Sequence, residues 1–147
     1  MPSLRDRLLG AWTLVDYMGL DEAGAAYQPL GPGASGLLVY AEPDRMSAQL
    51  MAADRPRWPK RHAANHGEVL RAITDGYLAY AGTFAVDEAA AVVTHVPDLS
   101  LIPNWVGRPQ ERRVHLDGDR LVLSTTEEPA AYVLTWRRLT AGTSTTP

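Results

Sequence analysis

Cysteine is absent from the 147 residues, which excludes disulfides, thiolate catalysis and sulfur-ligated metals. No apolar stretch approaches the roughly 20 residues that a membrane-spanning helix needs. Positive charge is also short. Lys and Arg number 14 against 17 Asp and Glu, so the net charge is -3 and nothing offers nucleic acid a broad basic surface. The N-terminal MPSLRDRLLGAW is charged and too short in apolar run for a signal peptide, so the cytoplasm is the expected compartment. The run GPGASG lacks the Gly-Lys-Ser/Thr ending of a phosphate loop, and no nucleophilic serine motif or dinucleotide fingerprint occurs.

What is present is 46% hydrophobic and 21% charged residues, the composition of one globular domain able to bury a core. Runs rich in β-branched and aromatic residues, separated by turn residues, predict eight strands. They cover Trp12–Tyr17, Gly36–Tyr40, Met46–Met51, Tyr77–Val86, Ala91–Val96, Gln110–Leu116, Arg120–Thr125 and Tyr132–Arg138. Asp117-Gly118-Asp119 and the Pro43-Asp44 turn each join a hairpin. Ser3 to Asp6 resembles a capping box that starts a short helical turn through Leu8-Leu9. One further helix is predicted at about Asn65 to Asp75, with Val69, Leu70 and Ile73 on one stripe and Gly76 near its stop. Gly19 to Gly36 reads as a long loop or lid, and Thr140 to Pro147 as a disordered tail, leaving 1–139 as the domain. An all-β meander of eight antiparallel strands is best closed into a barrel, because closure removes exposed edges. Such a barrel has room for one small ligand. A two-sheet sandwich is the alternative.

The stretch from Tyr77 to Arg113 gathers most of the polar and aromatic groups that could meet a small molecule. Alternation places Tyr80, Gly82, Phe84 and Val86 on one strand face, and Gln110, Arg112, Val114 and Leu116 on another. Gln and Arg beside Val and Leu suit a partly polar cavity. An inward Arg112 needs a partner, for which Asp16, a tyrosine or ligand oxygens are candidates. His95 lies in a β-branched strand, where an imidazole can line the cavity as a general acid or base, or else bond the neighbouring loop. Tyr40, Tyr80 and Tyr132 can present hydroxyls inward or serve as ordinary barrel aromatics. Asn104-Trp105 sits in a proline-bracketed loop that either caps the barrel mouth or anchors to the core. His62 and His66 are four apart with Glu68 as the nearby carboxylate, but a helix start falls between them, so no metal is assigned. Arg55, Arg57, Lys60 and Arg61 surround Trp58 in what reads as a solvated loop.

Gly10-Ala11-Trp12 resembles the Gly-x-Trp signature of lipocalins, with Arg137 or Arg138 in the place of the arginine that stacks over that tryptophan. The segments Gly36–Tyr40, Met46–Leu50, Tyr77–Phe84 and Ser100–Arg112 are similar to a bacterial and fungal lipocalin-like domain family, from about Leu8 to Arg138. Arg45 departs from that pattern, which more often has glycine or an aromatic there. The resemblance implies a small intracellular barrel without leader or disulfide. It also implies that cofactor-free cyclases and isomerases of natural-product pathways are among similar barrels, an inference of fold and not of reaction.

The expectation is a barrel that takes a small apolar or carbonyl-bearing metabolite, with no cofactor, nucleic acid or membrane involved and a homodimer allowed. As an isomerase, cyclase or dehydratase, it would use His95 to move a proton and Arg112 with Tyr80 to stabilise negative charge. Tyr40, Gln49, Phe84, Asn104, Trp105, Gln110 and Tyr132 are expected to contact the ligand. The alternatives are a non-catalytic carrier, favoured by the lack of a catalytic constellation with fixed spacing, and an interaction module filled by its own side chains.

Overall fold

A computed structural model describes residues 1–58 and 66–142 of the chain. Lys60, Arg61 and His62 lie outside the described residues, as do Asn65 and the tail beyond 142. Among the described residues no helix is long and apolar enough to cross a membrane.

The chain forms α1 (Leu4–Leu8), then β1 (Gly10–Leu20), β2 (Ala26–Tyr27), β3 (Ser35–Ala41) and β4 (Arg45–Met51). After α2 (His66–Asp75) come β5 (Tyr77–Asp87), β6 (Val92–Ser100), β7 (Gln110–Asp117), β8 (Arg120–Ser124) and β9 (Tyr132–Arg138). Every neighbouring pair is antiparallel, and β1 pairs with β9 through Trp12↔Arg138 to Gly19↔Tyr132. That pairing closes eight strands into a barrel, with β2 as a short ninth strand outside the ring. The barrel is the expected fold, and the sandwich alternative is set aside by the β1–β9 closure.

Two departures from the sequence expectation matter for the site. The predicted loop from Gly19 is shorter, because β1 continues to Leu20 and folds back onto β2. Gly19 is there for space: a Cβ would stand 2.9 Å from the Tyr27 ring. The second departure is a bulge at Val15, which is left unpaired between Leu14↔Trp136 and Asp16↔Thr135. A bulge inverts the alternation beyond it. Tyr17, rather than Asp16, therefore turns into the barrel.

One end of the barrel is filled. Leu8, Trp12, Tyr40, Phe84, Val93 and Leu121 are almost wholly buried there. Helix α1 begins at Ser3, whose hydroxyl accepts the Asp6 N–H at 3.0 Å, and the Glu88 carboxylate accepts the Leu4 and Arg5 N–H groups. Both devices satisfy donors that a helix start leaves open. The helix carries Leu8 into the core, and the Trp12 indole donates to the Leu8 carbonyl at 3.0 Å. Arg138 lies 4.2 Å above the Trp12 ring and donates to the Leu9 and Arg7 carbonyls. The stacked arginine is thus Arg138. Helix α2 presents half-buried Val69, Leu70 and Ile73 on one stripe, and its end is tied to β4 by Ala52 N–H to the Gly76 carbonyl.

Strands β5 and β6 carry a second irregularity. Ala81 pairs with Leu99 and Gly82 with Pro97, leaving Asp98 as an extra residue. The backbones approach so closely that a Cβ on Gly82 would sit 2.0 Å from the Val96 carbonyl oxygen. Gly82→Ala is therefore expected to destabilise the barrel by about 1–3 kcal/mol, the usual range for overpacking. Urea unfolding followed by far-UV circular dichroism reads the effect, and an unchanged midpoint would contradict this account of the contact.

Candidate functional site

The other end of the barrel is hollow. A cavity of about 270 Å³ opens among residues of nearly every strand, with Leu38, Ala48, Leu50, Leu78, Leu123 and Leu134 as its apolar wall. Alternation explains the wall: Met46, Ala48 and Leu50 point inward on β4, while Arg45, Gln49 and Met51 are exposed. On β9 the inward series runs Tyr132, Leu134, Trp136, from the mouth to the cavity floor. Tyr17, Trp105, Arg112 and Glu127 border the same space.

At its centre a buried imidazole joins two phenols. The Tyr40 hydroxyl lies 2.6 Å from His95 Nε2, and the Tyr80 hydroxyl lies 3.0 Å from His95 Nδ1. His95 is 1% exposed, and Phe84 packs edge-on against Tyr40 at 4.8 Å. His95 and Tyr80 touch the cavity, whereas Tyr40 stands behind them in the filled end. The Tyr80 ring meets Trp105 edge-on at 5.8 Å. Trp105 belongs to a 3-10 turn, Pro103–Trp105, in the β6–β7 connection. It therefore both anchors that loop and forms part of the wall.

Burial, and after it the positive Arg112, depresses the His95 pKa to about 3, so the ring is neutral at physiological pH. Burial pushes Tyr40 and Tyr80 up, although Arg112 opposes the shift at each. Tyr17 is pushed up to about 12, chiefly by burial. All are neutral phenols at pH 7.

Arg112 reaches the cavity with little to hold it. Its guanidinium donates to the Glu111 carbonyl at 2.8 Å and, weakly, to Gln110 Oε1 at 3.4 Å. No ion pair among the described residues includes it. Asp16 is not its partner, because the Val15 bulge turns Tyr17 inward instead. The buried Trp136 indole N–H has no partner among the described residues.

Six of the ten residues predicted for the site border the cavity, namely His95, Tyr80, Arg112, Trp105, Gln110 and Tyr132. Four do not. Tyr40 acts through His95, and Phe84 packs in the filled end under Arg5, 5.3 Å from its ring. Gln49 is on the outer face of β4, bonded to the Tyr77 hydroxyl, and Asn104 is exposed on the turn. Strand parity puts Gln49 outside; on the turn, only the aromatic neighbour of Asn104 folds inward. Tyr17, Trp136, Thr125 and Glu127 were missed. Trp136 was legible from the β9 alternation, while Tyr17 required knowledge of the bulge. Among the described residues no group of three or more His, Cys, Asp or Glu is placed to hold a metal.

A closed antiparallel barrel, plugged at one end and hollow at the other, defines the lipocalin-type class. The chain belongs to the family described as lipocalin-like domain, whose model matches residues 9–139. It is 37% identical over 108 residues to the 4'-hydroxy-3'-methoxypropiophenone carrier protein ppsC of Aspergillus oryzae, covering 64% of this chain and 96% of that protein. Among solved structures it is similar to As-p18, an extracellular fatty acid binding protein, at 16% identity and a TM-score of 0.46, covering 94% of this chain and 100% of the other. Fatty-acid-binding protein 1 of Echinococcus granulosus gives 13% identity and a TM-score of 0.45, covering 92% and 99%.

The depressed His95 pKa carries a signed consequence. The unfolded imidazole, with its ordinary value of 6.5, binds a proton that the folded one refuses until about pH 3. The neutral ring's contribution is thus fully present above pH 6.5 and is lost as pH falls from there toward 3. Wild type should lose on the order of 1 kcal/mol per pH unit more than His95→Gln between about pH 6 and 4.5. Urea titrations at stepped pH measure this, and parallel curves would show that His95 is not held neutral.

Proposed function

We propose that the chain is a small-molecule-binding barrel of carrier type, holding one small, largely apolar metabolite and releasing it unchanged. The observation that carries this reading is the hollow end: an apolar cavity bordered by the Arg112 guanidinium, which the protein itself leaves short of acceptors. A volume of about 270 Å³ is at the small end of ligand sites and suits a single ring or a short chain better than a long acyl tail. The carrier name of the Aspergillus relative supports the same reading.

Turnover finds less support. A general base works best with a pKa near the working pH, and His95 is held far below it. Arg112 and Tyr80 border one space and are able to polarise a carbonyl, but no strong base stands with them.

The test is native mass spectrometry of the protein with a panel of small aromatic and aliphatic metabolites, 4'-hydroxy-3'-methoxypropiophenone included. A one-to-one complex is expected, with the ligand recovered chemically unchanged by chromatography. Ala48→Leu, which projects methyl groups into the cavity, should weaken binding roughly tenfold or more while the barrel stays folded. Failure of every panel member to bind would remove the reading, and a transformed product would replace the carrier with an enzyme.

A further inference from the structure

Resting on the binding reading above, we infer that Tyr40 and His95 form a relay that fixes Tyr80 as a hydrogen-bond donor, so that the cavity selects a ligand with a carbonyl oxygen. The argument begins with proton counting. A neutral imidazole has one N–H and one bare nitrogen, and each phenol has a single O–H. Two arrangements satisfy the contacts at His95. In the first, Tyr40 donates to Nε2, and the Nδ1–H donates to the Tyr80 oxygen. In the second, Nε2–H donates to Tyr40, and Tyr80 donates to Nδ1.

The surroundings choose between them. Tyr40 is 1% exposed, and His95 is its hydrogen-bond partner. The second arrangement strands the Tyr40 hydroxyl proton in dry packing, beside the ring of Phe84. The first leaves unused only the Tyr80 hydroxyl proton, on a residue that borders the cavity. The distances agree: 2.6 Å at Nε2 fits a hydroxyl donor, and 3.0 Å at Nδ1 fits a ring N–H donor. The imidazolium, which would donate on both sides, is disfavoured by burial and by Arg112.

Tyr80 is therefore a donor in search of an acceptor. Arg112 borders the same cavity and is a donor too. Of the acceptors that border the cavity, Gln110 Oε1 faces Arg112, Thr125 Oγ1 takes the Tyr132 N–H and Glu127 is exposed. Among the described residues the Tyr80 hydroxyl bonds neither the Tyr17 nor the Tyr132 hydroxyl. A ligand wholly of hydrocarbon would leave these donors unsatisfied once water is displaced. A ketone, aldehyde or ester carbonyl satisfies them while its carbon skeleton meets the leucine wall. Tyr80 is then a specificity-determining residue, and His95 with Tyr40 are positioning residues.

Propiophenone and propylbenzene differ only by the carbonyl oxygen and form the matched probes. Wild type is expected to bind propiophenone roughly tenfold more tightly by tryptophan fluorescence titration, the discrimination given by one buried donor. Tyr80→Phe should cut that preference by roughly threefold or more, the remainder belonging to Arg112. The double variant Tyr40→Phe/His95→Leu removes the relay without stranding a buried hydroxyl, and should cut the preference by roughly threefold or more. Nitrogen-15 NMR of the wild-type imidazole should show Nδ1 protonated and Nε2 bare. Equal binding of the two probes by wild type, or a protonated Nε2, overturns the inference while leaving the barrel a binding protein. If neither probe binds and the metabolite panel also fails, the binding reading itself falls.

Discussion

A sheet closed on itself has no edge, and this constraint governs the rest of the molecule. Once β1 and β9 pair, every backbone donor and acceptor of the ring can be met within it, but the enclosed space must be filled by something. At one end the chain supplies the filling: two tryptophans, Tyr40, Phe84 and a set of leucines, with Arg138 laid across the Trp12 ring. At the other end it supplies a lining and stops. The cavity is the volume left when bulky side chains are concentrated at one end of a cylinder.

That division also explains the chemistry at the boundary. His95 is at the level where filled and hollow halves meet, and a polar ring there must find partners on both sides. Tyr40 satisfies it from the filled half, Tyr80 from the hollow one. The same low-dielectric packing that makes the imidazole a poor base makes its hydrogen bonds firm. The imidazole is held on both sides at the boundary between filled and hollow halves.

Much of this was legible in the sequence because period-two alternation carries inside and outside directly. Alternation groups Gln110, Arg112, Val114 and Leu116 on one strand face suited to a partly polar cavity, and the structure turns that face inward, with Gln110 and Arg112 in the cavity wall and Val114 in the core. The Trp12–arginine contact came from the resemblance to the lipocalin signature, which left Arg137 and Arg138 open until the structure placed Arg138 over the ring. What was not legible were the places where alternation breaks or a residue serves space rather than shape. Val15 looks like any strand valine until its partners are counted, and Gly19 signals a turn locally although its role is to admit an aromatic ring. Gln49 lies on the outer face because Met46, Ala48 and Leu50 take the inward parity of β4, which period two alone does not assign to either face.

The Val15 bulge makes the polarity of the cavity mouth a matter of strand pairing as well as residue type. On one side of it the wall follows Trp12 and Leu14; on the other it follows Tyr17 and Gly19, with Asp16 turned away. Deleting Val15 would leave Leu14 and Tyr17 inward, whereas closing the bulge with Val15 retained would exchange the Tyr17 phenol for the Asp16 carboxylate in the wall. That exchange would set an anion facing Arg112 and convert a donor-rich pocket into an internally neutralised one. Which side chain meets the ligand space here is thus set by how β1 pairs with β9, over and above the order of residues along β1.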